Sequence, residues 1–273
     1  MPELPEVETI VRGLREIVLG KKIKVVKIVP SRVLQSSISS FKRNLIGKKI
    51  KGAKRRGKNI ILKLSSGNFL LVHLGMTGHL FFLDKPAPLG KHDHIDLIFS
   101  DNSSLRYNDI RKFGKFKLVK SSSIEKVEDL KSLGSEPLEI SKDNFARLLQ
   151  RRRGRIKSTL LNQKVVAGIG NIYADEVLFE AKIYPEEKAF NICSDRLKKL
   201  HQAIGKILKE AIKAGGSSVD NYLDLEGKKG FFQFHHKIYG KKGEPCPRCR
   251  TKIKKMVLNQ RSSYFCPNCQ KKL

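Results

Sequence analysis

Two cysteine pairs near the end of the sequence constrain this chain more than anything else in it. Cys246-Pro247-Arg248-Cys249 and Cys266-Pro267-Asn268-Cys269 bracket residues 250–265. Each pair fits a tight turn that aims two thiolates at one centre, the C-x2-C…C-x2-C spacing of a tetrahedral zinc site. Between them Thr251 to Leu258 and Ser262 to Phe265 alternate like the strands of a hairpin. A segment this short cannot bury a core of its own, so a bound ion must supply its folding energy. The spacing alone leaves a redox pair or an iron–sulfur cluster open. With four thiolates at hand, His235 and His236 read as ordinary polar residues, and the expected cofactor is one structural Zn2+.

Charge is the second departure from the average. The 273 residues carry 56 Lys and Arg against 26 Asp and Glu, a formal net charge of +30. An excess of this size favours a polyanionic partner, of which nucleic acid is the commonest; a solubility adaptation is the bland alternative. No run approaches the roughly 18 apolar residues of a membrane-spanning helix. The opening Met1-Pro2-Glu3-Leu4-Pro5-Glu6 is acidic where a secretory signal is basic. The expectation is a cytoplasmic chain without disulfides, in which Cys193 has a packing role.

Periodicity divides the chain. Val7, Ile10, Val11, Leu14, Ile17 and Val18 recur at helical spacing, and Gly20 supplies a stop. Short β-rich runs follow at roughly 22–29, 59–64, 68–74, 79–83, 94–99, 104–107 and 115–119. Seven strands at this spacing predict an antiparallel sandwich or barrel rather than βαβ units. Beyond residue 135 the pattern turns helical, over Asp143 to Arg153, Ile156 to Leu161, Ile172 to Ala181 and Asp195 to Lys213. The reading is a β domain, a helical domain and a small metal module.

Several motifs then resemble one family, in order and along nearly the whole chain. They are Pro2 to Glu8 (PELPEVE), His73 to Gly78 (HLGMTG), Lys91 to His94 (KHDH), Asn108 to Gly114 (NDIRKFG), Ala167 to Glu176 (AGIGNIYADE) and the cysteine module with Gln260-Arg261. These are similar to the motifs of formamidopyrimidine-DNA glycosylases. The resemblance implies an α+β fold in three parts. Residues 1–125 are expected to form a catalytic β-sandwich with an N-terminal helix, 135–225 a helix–two-turn–helix domain, and 237–273 a zinc finger.

The resemblance also implies the chemistry: excision of oxidised purines from damaged double-stranded DNA, then strand cleavage by β,δ-elimination. Pro2, once Met1 is removed, is the implied nucleophile. An α-amine with a pKa near ~8 is partly neutral at pH 7, as a lysine near ~10.4 is not. Glu3 is the implied general acid, Lys58 reaches the target phosphate, and Arg261 serves the second elimination. Glu6 is expected to hold the site electrostatically, and Glu8 to be structural or solvated. In isolation the three glutamates would be only first-turn carboxylates favoured by the helix dipole.

DNA contacts are expected at His73, His92, Arg152, Lys157 and Asn171, the last at a Gly-rich helix start suited to phosphate. Met76, Arg111 and Phe113 are expected to fill the gap left by an extruded nucleotide, against the alternative that Met76 and Phe113 are core residues. Residues 216–234 contain the loop that would read the base. A monomer is expected. The readings held beside this one are an endonuclease VIII-like pyrimidine glycosylase and a non-catalytic zinc-ribbon DNA-binding protein of the same fold.

Overall fold

The computed structural model describes residues 1–219 and 221–272, with Glu125 described in its backbone alone. Packing divides the chain into two units. One comprises Met1–Lys131 with Ala214–Gln233; the other comprises Ser132–Lys213 with the chain from Phe234 onward. Among the described residues, no helix is long and apolar enough to cross a membrane.

The first unit opens with α1 (Leu4–Ile17). Val7, Ile10, Val11 and Leu14 recur along one face and are all buried, so one stripe of the helix faces the core. Behind it lie two antiparallel four-stranded sheets. The strands are β1 (Ile23–Ile28), β2 (Ile50–Arg56), β3 (Asn59–Leu64), β4 (Phe69–His73), β5 (Gly78–Leu83), β6 (Asp93–Phe99), β7 (Ser104–Asp109) and β8 (Lys115–Val119). Their orders are β1-β6-β7-β5 and β2-β3-β4-β8. Inward side chains of both sheets, with the α1 stripe, form a single core.

Among the elements that the sequence reading missed here are β2 and a short helix. Strand β2 reads Ile-Lys-Gly-Ala-Lys-Arg-Arg, and only Ile50 and Ala53 of it are buried, so its apolar alternation is too sparse to see. Helix α2 (Ile38–Leu45) spans two turns, with Phe41 and Leu45 buried and Ser37 accepting from the Ser40 amide. Among the described residues the unit therefore has eight strands where seven were expected. Residues 214–225, assigned from sequence to the helical domain, pack with the sandwich: Tyr222 and Leu225 join its core, and the Phe82 amide donates to the Leu225 carbonyl at 2.8 Å.

After a short α3 (Glu128–Lys131), the second unit holds α4 (Lys142–Gln150), α5 (Ile156–Leu161), α6 (Asn171–Glu180), α7 (Ser194–Lys213) and the hairpin β9 (Lys254–Leu258)–β10 (Arg261–Phe265). Helix α6 is buried nearly all round, and two of its buried residues are acidic. Glu176 accepts from the backbone amides of Lys237, Ile238 and Tyr239. Asp175 accepts from the Tyr264 amide at 3.0 Å and lies 2.7 Å from Lys157 Nζ.

That pair corrects one expectation. Lys157 is 0% exposed, and its ammonium also donates to Ser262 O and Ser263 Oγ at 2.9 and 2.7 Å. It cannot reach DNA; it fastens α5 to the hairpin. Burial pushes the Asp175 carboxyl up to about 7, against the pull of Lys157.

Lys157→Met keeps the side-chain volume and leaves Asp175 as a buried acid without its cation. It should cost about 3–5 kcal/mol near pH 8. The sign follows from linkage: a carboxyl whose folded pKa is raised loses stability as pH climbs above its unfolded value. Urea melts of the zinc-loaded variant should therefore show a smaller loss at pH 5 than at pH 8; an equal loss at both would contradict the pairing.

Candidate active site and nucleic-acid interface

In the sandwich unit the site begins at the head of α1. Pro2 is buried and Glu3, the residue preceding the helix, is 4% exposed. Glu6, itself 2% exposed, accepts from the Glu3 amide at 2.7 Å and from the Ser217 amide at 2.8 Å. The Tyr222 hydroxyl lies 3.3 Å from the Glu6 carbonyl oxygen. One carboxylate thus joins the start of the chain to the segment 214–233, which overlaps residues 216–234, expected from sequence to contain the base-reading loop.

Lys58 sits in the two-residue turn between β2 and β3, where Arg56 pairs with Asn59. Gly57 takes a positive φ of 55° there, which a side chain would resist. Lys58 is 7% exposed. Its hairpin is tied to α1 by Glu8, whose carboxylate holds Arg55 at 3.0 Å, while Arg55 also donates to the Gly57 carbonyl. Glu8 therefore positions the hairpin of Lys58, a long-range role that no local pattern announces.

His73 ends β4. Its Nδ1 accepts from the Gly75 amide at 3.0 Å. Burial, then the nearby charges of Lys58 and Lys115, lower its pKa to about 4. The imidazole is neutral at pH 7. His92 is half-buried, with its carbonyl accepting from the Asp109 amide.

Met76, Arg111 and Phe113 all stand out from the sandwich; Met76 is 44% and Phe113 42% exposed. Their two loops are in backbone contact. Gly75 has φ +68°, and a Cβ there would meet the carbonyl carbon of Phe113 at 2.6 Å. Between the loops sits the fully buried Asp109. It accepts from Thr77 Oγ1 at 2.6 Å, the Tyr107 hydroxyl at 3.0 Å, the Arg111 amide at 3.1 Å and the Gly114 amide at 2.9 Å. Burial alone would raise this carboxyl, but those donors hold it below the ordinary range. A cavity of about 360 Å³ opens beside the first loop, lined by Thr77, His79, Asn108, Asn221, Tyr222 and Lys229.

In the second unit Asn171 opens α6 behind Gly170. Its amide donates to Ser262 O at 3.0 Å, so the side chain braces the hairpin as well as marking the helix start. Gln163 supports the preceding glycine turn, accepting from Gly168 N and donating to Ile169 O. Arg261 is exposed at the first position of β10. The turn before it places Asn259 and Gln260 at φ 46° and 60°, the two left-handed residues that a tight hairpin requires. Arg152 is exposed and lines an open cavity with Arg147 and Arg151.

The four cysteines converge. Their sulfurs all lie within 4.8 Å of one another, with Cys246–Cys269 at 3.9 Å and Cys249–Cys266 at 3.4 Å. Zn–S bonds of ~2.3 Å in a tetrahedron put sulfurs just under ~4 Å apart, so the set fits one structural Zn2+. Amides of Arg248 and Cys269 point at Cys246 and Cys266 sulfurs, which stabilises thiolates.

Comparison with known proteins agrees with this geometry. Residues 1–116 match the formamidopyrimidine-DNA glycosylase N-terminal domain, 133–222 the H2TH domain of the same enzymes, and 243–272 the zinc finger found in FPG and IleRS. The formamidopyrimidine-DNA glycosylase of Solibacter usitatus is 46% identical over the full length of both chains. A crystal structure of a Lactococcus lactis FPG point mutant in complex with Fapy-dG-containing DNA superposes with a TM-score of 0.93 at 38% identity, covering 99% of this chain and 100% of that one. The L. lactis Fpg bound to abasic-site DNA gives 0.92 at the same identity and coverage.

The His73 environment has a measurable consequence. Its folded pKa is depressed to about 4, so between pH 6.5 and 4 the unfolded chain binds the extra proton. Stability from this group is complete above its unfolded value and drains away as pH falls. Because the ring is half-buried, the loss on going from about pH 7 to about pH 5 should be about 1–2 kcal/mol, and His73→Asn should remove it. An imidazole resonance titrating near ~6.5, the ordinary histidine value, would contradict the reading.

Proposed function

The chain belongs to the formamidopyrimidine-DNA glycosylase family, and from that premise we propose that it excises oxidised purines from duplex DNA and then cleaves the abasic strand, acting as a cytoplasmic monomer. The observation that carries this reading is the burial of Pro2 and Glu3. Chain starts are ordinarily loose unless something ties them down; here the buried Glu6 fixes the start, its carboxylate accepting from the Ser217 amide and its backbone carbonyl from the Tyr222 hydroxyl.

The chemistry follows from the residues. With Met1 removed, the Pro2 secondary amine attacks C1′ of the target nucleotide. The glycosidic bond breaks, and its electron pair leaves with the base, which takes up a proton. Glu3 supplies the proton that opens the sugar ring at O4′, giving an iminium between Pro2 and C1′. Loss of a C2′ proton then expels the 3′ phosphate, and a second elimination assisted by Arg261 expels the 5′ phosphate. Water hydrolyses the imine and returns the free amine. Lys58 holds the target phosphate through these steps.

The nucleotide must first leave the stack, at a cost of a few kcal/mol. Met76 and Phe113 fill the space as apolar wedges, and Arg111 addresses the orphaned base. The cavity beside Thr77 and the 221–229 segment receives the extruded base. His73, neutral, donates to DNA through Nε2, while His92, Arg152 and Asn171 supply further contacts. The zinc ion takes no part in the chemistry: it holds the hairpin that carries Arg261.

The test is borohydride trapping on a duplex carrying 8-oxoguanine opposite cytosine, using protein whose mass shows that Met1 is gone. A covalent adduct is expected, and Pro2→Gly should abolish it while duplex binding persists. Stronger trapping on an oxidised pyrimidine would favour the endonuclease VIII-like reading. Binding with neither adduct nor cleavage would establish the non-catalytic one.

A further inference from the structure

Residues 29–37, between β1 and α2, contain an arginine that the chemistry above does not use. Arg32 Nε donates to the Lys112 carbonyl and its Nη2 to the Arg111 carbonyl, each at 2.8 Å. The same guanidinium lies 4.8 Å from the centre of the Phe113 ring. One side chain thus engages three consecutive residues of the loop that presents Arg111 and Phe113.

The arginine has a fixed origin. Val33, next in sequence, is fully buried, and its carbonyl accepts from the Phe116 amide at 2.8 Å. The Gln35 amide donates back to the Phe116 carbonyl, and the Gln35 side chain donates to the Arg32 carbonyl. Two neighbours of Arg32 are therefore stitched to β8, the strand that follows the loop.

On the other side of the loop stands Asp109. It takes the amides of Arg111 and Gly114, while Arg32 takes the carbonyls of Arg111 and Lys112. An anion holds the loop's donors and a cation holds its acceptors. Lys112 between them has φ +57°, a strained value for a side-chain-bearing residue. Both clamps keep it there.

We propose that Arg32 is a positioning residue for the duplex wedge: by gripping two carbonyls and the Phe113 ring, it sets where Phe113 enters the stack and where Arg111 meets the unpaired base. The proposal rests on the wedge reading given above. It explains a division of labour between two guanidiniums over one ring, at 4.8 and 4.5 Å. The fork of Arg32 is committed to backbone. Arg111 is exposed and makes no side-chain hydrogen bond among the described residues, which leaves its donors available to the unpaired base of the wedge reading.

The clamp needs a planar fork, not merely a positive charge, and lysine cannot supply one. Arg32→Lys and Arg32→Ala are therefore compared with wild type on a duplex holding a tetrahydrofuran abasic analogue opposite cytosine, with 2-aminopurine next to the lesion. Wild type should raise the 2-aminopurine fluorescence as the wedge unstacks it; both variants should lose most of that rise. On 8-oxoguanine duplexes both should lower kcat/KM about tenfold and narrow the preference for cytosine over adenine opposite the lesion. Cleavage of a single-stranded abasic oligonucleotide, which has no stack to fill, and the melting temperature should stay near wild type.

Full fluorescence and discrimination in Arg32→Lys would overturn the proposal and make Arg32 a simple phosphate cation. Equal losses on single and double strands would overturn it as well. If wild type itself produced no unstacking, the wedge reading would fall with it; unstacking retained in both variants would sink the clamp alone.

Discussion

The carboxylate of Glu6 is the contact on which the sandwich unit depends. It is buried, and it spends its oxygens on two backbone amides, that of Glu3 beside it and that of Ser217, 211 residues further along the chain. Hydrogen bonds to a charged acceptor contribute about 1.5–3 kcal/mol, and leaving such a group unpaired costs more. Through this one side chain the start of α1 is held rigid and the segment 214–233 is drawn back onto the β unit. The proposed Pro2 nucleophile would be useful only if held still, and Glu6 ties down a chain start that would otherwise be loose.

The same device recurs at three further carboxylates. Asp109 gathers amides and hydroxyls from the Met76 and Phe113 loops, Glu176 takes three consecutive amides at 237–239, and Asp175 takes Tyr264 N along with Lys157. In a chain with 26 acids against 56 bases, these carboxylates are inside, tying backbone together. Their desolvation is visible in the raised pKa values of Asp175 and Glu176, and in Asp109 the donors outweigh it. Lysines and arginines such as Lys24, Lys51, Arg111, Arg152 and Arg261 are left on the surface. The basic field that attracts DNA and the internal fastening that shapes the site thus come from one segregation of charge.

What could be read beforehand follows the range of each signal. The cysteine module was legible because metal geometry fixes local spacing, and α1 because its apolar stripe runs the length of the helix. Strand β2 was not, since five of its seven residues are Lys, Arg or Gly and its place comes from pairing with β3. Lys157 looked like one more surface cation; only the fold brings Asp175, Ser262 and Ser263 around it. Glu8 was read only as structural or solvated and Arg32 not at all, because their partners lie 47 and 80 residues away. The motifs took in several of the residues that hold the site, Glu6, Asp109, Asp175 and Glu176, whereas Arg32 and Lys157 lie outside all of them.

Zinc shows how far such support extends. The metal pins the two knuckles, and the hairpin between them presents Ser262 and Tyr264 to the helices. The Ser262 carbonyl accepts both Lys157 Nζ and Asn171 Nδ2, and the Tyr264 amide meets Asp175. The start of α6, with its glycine turn, therefore takes its brace from β10. A thiolate cluster remote in sequence from Asn171 becomes part of what aims it, since the ion supplies folding energy to a module too small to fold without it. In the function proposed above, the metal's contribution to DNA binding is mechanical: it holds the hairpin that carries Arg261 and, through the Ser262 carbonyl, braces Asn171.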